Sequence, residues 1–90
     1  MPNSQEGQIA QKQQQLLERA RKGLLKYLLD NNGKRNLGQL HEYSMNTYLI
    51  QHQAFSQMME GLVNDGFLMY DFGSDEAAIT DKGQELARQS

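Results

Sequence analysis

Residues 53–72 read QAFSQMMEGLVNDGFLMYDF, and the change of rhythm inside this stretch decides the fold. Its first half has helical spacing. Phe55, Met59 and Leu62 fall at i, i+4 and i+7, with Met58 and Val63 alongside. Asp65-Gly66 stops that helix. Phe67-Leu68-Met69-Tyr70-Asp71-Phe72 follows as an aromatic-rich run bounded by glycines, the profile of a strand. The pattern predicts a helix over about residues 51–64 and a strand from residue 67. Gly73-Ser74-Asp75-Glu76 reads as a turn and Ala77 to Thr80 as a short returning strand, closing a hairpin over residues 67–80. Thr80 or Asp81 then caps a last short helix through Leu86 and Ala87.

Upstream, Met45 to Ile50 reads as a turn, because Asn46 and Thr47 suit non-helical backbone. A second helix is predicted from Leu37 to about Ser44, with Leu37, Leu40 and Tyr43 facing inward, after a brief extended segment at Lys34 to Leu37. From Ile9 to Asp30 there is no proline and straight-chain helix formers dominate, which predicts a long first helix. The glutamines Gln11, Gln13, Gln14 and Gln15 are its polar start. On this helix Leu16, Leu17, Ala20, Leu24, Tyr27 and Leu28 fall within about 120° of arc. Leu25 and Leu29 widen the arc beyond what one packing face needs. Lys12, Arg19, Lys22 and Lys26 cluster on the opposite side. Asn31-Asn32-Gly33 ends the helix with residues able to take positive φ. Residues 1–8, MPNSQEGQ, are polar and short of anchors, so a flexible lead-in is expected before a single domain over 9–90.

The 90 residues leave room for one domain, and 38% apolar residues suffice for a small core. No apolar run approaches the roughly 18 residues that a membrane helix requires. The start lacks a basic segment followed by an apolar stretch and a cleavage site, so secretion is not expected. Cysteine is absent, which excludes disulfides, thiolate catalysis and cysteine-ligated metal centres, and a cytoplasmic location is expected. The net charge of −2 hides an asymmetry. Residues 1–38 carry seven basic and three acidic groups, net +4, whereas residues 39–90 carry two basic and eight acidic, net −6. Such a split says where an acidic or a basic partner would dock.

The order of elements resembles the winged helix-turn-helix superfamily. Leu37-Gly38-Gln39-Leu40-His41-Glu42 looks like the start of that family's second helix. Gln53 to Leu68 is similar to its third helix running into the first wing strand, with a leucine preceding an acidic-Gly-apolar-apolar ending. Ala78-Ile79-Thr80-Asp81-Lys82-Gly83-Gln84-Glu85-Leu86-Ala87 resembles the last wing strand passing into a closing helix. That form is frequent in small transcriptional regulators of the multiple-antibiotic-resistance and phenolic-acid-regulator kinds. The resemblance spans roughly residues 20–88. It implies an α+β, mostly α fold with a C-terminal two-stranded β-hairpin wing and a short closing helix.

The resemblance further implies a DNA-binding regulator whose third helix enters the major groove of double-stranded DNA. The outward residues would be Gln51, His52, Gln53, Ser56, Gln57 and Glu60, with Lys34 and Arg35 reaching the backbone at the edge. Glutamine pairs with the adenine edge, and serine contacts bases or phosphates. The charges depart from the family pattern. The third helix has no lysine or arginine, and the hairpin carries Asp71, Asp75 and Glu76. Phosphate neutralisation supplies most non-specific affinity for DNA, and this surface repels phosphate. The alternative is a protein-interaction module in which Glu60, Asp71, Asp75 and Glu76 meet a basic partner. The surplus arc at Leu25 and Leu29 has two readings, a two-fold homodimer interface or a face covered by the hairpin and closing helix.

No nucleophile–base pair, metal set or phosphate-cradling glycine motif is present, so no catalytic, cofactor-binding or metal-binding residues are expected. His41 and His52 read as exposed polar filler rather than ligands. His41, Glu42 and Ser44 look faintly catalytic, but helix neighbours diverge by about 100°. Met58, Met59 and Met69 read as core. Gly23 and Gly61, each about 1 kcal/mol less favourable than alanine inside a helix, mark close packing.

Overall fold

The structure is a computed structural model that describes residues 4–89, with side chains described from Gln14 onward. It has four helices and a three-stranded antiparallel sheet, a mostly helical α+β arrangement. The first helix, α1 (Ser4–Asp30), starts ahead of the predicted Ile9. Of the lead-in expected over residues 1–8, the first three residues lie outside the described ones.

The wide apolar arc of α1 is filled from within the chain. Ala20, Leu24, Leu25 and Leu28 are buried, and Leu17, Tyr27 and Leu29 are half-buried against the same core. Leu25 is 0% exposed, so it has no surface to offer a second copy, and Leu29 is largely covered. Cover from within the chain accounts for the surplus arc at Leu25 and for most of Leu29, because other elements of the chain press on α1 from more than one side. The helix ends where anticipated. Gly33 N–H donates to the Leu28 carbonyl at 2.6 Å, and Asn32 and Gly33 take φ of 67° and 79°.

Strand β1 (Lys34–Asn36) leads directly into α2 (Leu37–Tyr48). Asn36 accepts from Gln39 N–H at 2.8 Å while the Gln39 side chain accepts from Asn36 N–H at 3.2 Å, a reciprocal cap. The helix runs four residues past the predicted end at Ser44, so Asn46 and Thr47 are helical rather than a turn. The reason is tertiary. Tyr48 lies against α1 at Gly23, where an added Cβ would collide with the phenol. The turn shifts to Leu49–Gln51 and opens on Leu49 at φ 57°, an uncommon conformation for leucine.

Helix α3 (His52–Asn64) buries Phe55, Met58, Met59 and Leu62. Strands β2 (Leu68–Asp71) and β3 (Glu76–Ile79) pair in register, Leu68 with Ile79 and Asp71 with Glu76. The two-stranded hairpin expected here is part of a larger sheet, because β1 pairs with β3 on its other side and gives the order β1-β3-β2. Ala77, fully buried on the central strand, keeps it thin on the core side where α1 packs. Met69, expected in the core, is 67% exposed because strand alternation turns it to the face opposite Leu68. Helix α4 (Asp81–Arg88) is capped by Thr80, whose hydroxyl accepts from Gly83 N–H at 3.1 Å, and packs along α1.

Two glycines separate packing from propensity. A Cβ on Gly83 would run into the Phe67 carbonyl, whereas one on Gly61 meets nothing within 4 Å. The close packing expected at Gly61 is absent. Gly61→Ala is expected to raise stability by about 0.5–1 kcal/mol through helix propensity. Gly83→Ala is expected to lower it by about 1–3 kcal/mol through overpacking against backbone. Urea unfolding of the two variants checks this, and equal shifts in midpoint would refute the assigned contacts.

Candidate functional site

All six outward positions of the third helix segment, Gln51, His52, Gln53, Ser56, Gln57 and Glu60, are exposed. The two cations expected at the edge of this surface are engaged within the fold. Lys34 Nζ lies 3.5 Å from Glu76 Oε1, across the β1–β3 pair. Arg35 is half-buried, with its guanidinium donating to Asn31 Oδ1 and standing 6.0 Å from the Tyr27 ring centroid. Its Nε is buried with no hydrogen-bond partner among the described residues. Tyr27 in turn stacks on Tyr43 at 4.2 Å. Burial, helped by a hydrogen bond with Tyr48, pushes the Tyr43 phenol up to about 12.

Beside α3 lies a feature that the sequence reading missed. A groove of about 380 Å³ runs between α3 and the hairpin, with apolar walls from Leu37, Phe55, Met59, Val63, Tyr70 and Phe72. Ser56, Glu60 and Asn64 form its polar margin along the helix. Positions 56, 59/60 and 63/64 recur at helical spacing, so the groove follows two turns of α3. Phe72 stands at the hairpin turn with 89% of its surface in solvent, edge-on to Tyr70 at 4.8 Å. The available signal was the surplus of Phe67 to Phe72, where five of six residues are apolar and a two-faced strand on one core needs about half.

The turn that carries Phe72 is held by several bonds. Asp71 Oδ1 accepts from Gly73 N–H at 2.8 Å. Asp75, at φ 56°, accepts from the Tyr70 hydroxyl, and its carbonyl accepts from Leu37 N–H at 3.0 Å at the start of α2. The Gly73 amide, then the Ser74 side chain and amide, hold the Asp71 carboxyl below its ordinary value, with Lys34 assisting. The bond to Asp75 stabilises the neutral Tyr70 phenol and raises its pKa. Thus Asp71, Asp75 and Glu76 all lie in this turn region, Glu76 paired with Lys34, while Glu60 projects from α3.

The remaining candidates are absorbed elsewhere. Asp65 pairs with Arg21 at 2.7 Å, and its carbonyl accepts from Lys82 Nζ at 2.7 Å, with Lys82 over the Phe67 ring at 4.9 Å. Arg19, Lys22 and Lys26 are exposed on α1, while the Lys12 side chain lies outside the described residues. His52 is exposed, but His41 is not filler. Its ring is half-buried, edge-on to Phe55 at 5.0 Å and His52 at 5.4 Å, with Nε2 buried and unpartnered among the described residues. Among the described residues no group of three metal-ligating side chains converges, and no helix is long and apolar enough to cross a membrane. No protein family, curated protein or solved structure matches the chain.

The lowered Asp71 pKa has a definite sign. Its ionised form stabilises the turn above the ordinary value of 3.8, and that contribution is lost as pH falls through the lower folded value. The Gly73 amide resonance is expected to titrate with a midpoint below 3.8, and Asp71→Asn to remove the step. A midpoint above 3.8 contradicts the assigned hydrogen bonds.

Proposed function

We propose that the chain is a non-catalytic winged-helix binding module whose α3–hairpin face contacts a protein partner. The order helix, strand, two helices, hairpin and closing helix, with the sheet ordered β1-β3-β2, supports the winged-helix reading. One observation carries the choice of partner. The surface beside α3 offers an apolar groove margined by Glu60, where phosphate recognition needs cations. Lys34 instead lies 3.5 Å from Glu76, and Arg35 donates to Asn31. Exposed apolar surface rimmed by polar groups is characteristic of protein–protein contact.

DNA recognition is the second reading, favoured by the exposure of Gln53 and Gln57, one helical turn apart on α3. A salt-dependent titration with mixed-sequence duplex separates the two. The protein-binding reading expects affinity no better than about 100 μM at physiological salt. Micromolar binding with a steep salt slope would overturn it. An enriched duplex site whose affinity drops by about 1–3 kcal/mol on Gln57→Ala would establish the DNA reading in its place.

A further inference from the structure

We propose that the groove between α3 and the hairpin receives an amphipathic helix from a partner protein, with apolar side chains at i, i+3 or i+4 and i+7 and with lysine or arginine on its flanks. This rests on reading the α3–hairpin face as a protein-docking surface, and it names the kind of segment that fits there.

The shape comes first. The groove follows two turns of α3, about 12 Å, which matches the span of three or four anchor residues on one face of a second helix. Its walls are side chains, and Val63 at 37% and Phe72 at 89% exposure remain in water. A site for a small apolar molecule encloses most of its ligand. A wall as open as Phe72 is covered only by something larger, which reaches over it. An extended segment is the poorer occupant. Edge strand β2 offers four residues of ladder, while the apolar volume lies beside it, over α3.

The aromatic wall is preset. Bonds from Gly73 N–H to Asp71, from Tyr70 to Asp75 and from Leu37 N–H to the Asp75 carbonyl fix the turn on both sides of Phe72. An exposed aromatic on a held backbone loses little freedom on binding, which is the character of an interface anchor.

Charge supplies the flanks. No lysine or arginine lines the groove among the described residues, and Glu60 is the charged side chain on its margin. Such a margin attracts a cationic flank and repels an acidic one. The chain's own basic helix is no candidate, since Ala20, Leu24 and Leu28, the apolar side of α1, are already buried.

The test is an unbiased peptide-display selection on the full chain, with selected peptides remeasured by fluorescence anisotropy on Phe72→Ala, Glu60→Lys and Met69→Ala variants. All three positions are exposed, and circular dichroism checks that each variant is folded. The expected peptides carry the i, i+3/i+4, i+7 apolar pattern with lysine or arginine flanks. Their affinity is expected to fall about tenfold or more on Phe72→Ala and on Glu60→Lys, and to stay unchanged on Met69→Ala. Peptides that depend on Phe72 but are acidic or alternate like strands would overturn the basic-helix proposal while leaving the docking face in place. A selection whose products ignore Phe72 and Glu60, or that yields no binders, overturns both.

Discussion

Burial of Leu24, Leu25 and Leu28 of α1, each at 0% exposure, is the constraint around which the other elements are arranged. Full burial of one such side chain stabilises by about 1.5–3 kcal/mol, and three on adjoining turns require cover over a wide arc. Helix α4 lies along α1, β3 buries Ala77 on the core side, and α2 and α3 close the remaining side. The close approaches need missing side chains. Gly23 makes room for Tyr48, and Gly83 lets α4 start against the Phe67 carbonyl. The exposed side of α1 keeps Arg19, Lys22 and Lys26 in water.

That arrangement engages Arg21, Lys34, Arg35 and Lys82 with neighbours inside the fold and leaves Glu60 beside α3 without a basic neighbour in the groove. Arg21 and Lys82 enclose Asp65 and the Phe67 ring, Lys34 answers Glu76, and Arg35 joins the Asn31–Tyr27 cluster. Glu60 remains outside these pairs, on the margin of an apolar groove. The same turn that closes the β2–β3 hairpin also anchors it to the first residue of α2, so the placement of Phe72 is coupled to the cap at Asn36.

Signals confined to a few neighbouring residues were legible. Asp65-Gly66 ended α3, Thr80 capped α4, Asn32-Gly33 ended α1, and the outward side of α3 followed from its spacing. Features that depend on contacts distant in sequence were not. The extension of α2 to Tyr48 needs Gly23 of α1, and the third strand needs β1 to meet β3 40 or more residues later. The wide leucine arc had two physical solutions, a second copy or cover from within the chain, and periodicity does not distinguish them. His41 lost its exposure because Phe55 packs beside it, and Lys34 and Arg35 lost their freedom to Glu76 and Asn31. The groove was illegible for the same reason, since its walls come from α2, α3 and β2 together.

The proposed docking face depends on Phe72 being exposed on backbone that does not move, and backbone ¹⁵N relaxation of residues 72–75 measures that directly. Order parameters near those of α3, about 0.85, are expected for the amides of Phe72 to Asp75. Values below about 0.6 at these residues contradict a preset aromatic wall, and with it the central reason for placing the partner in this groove.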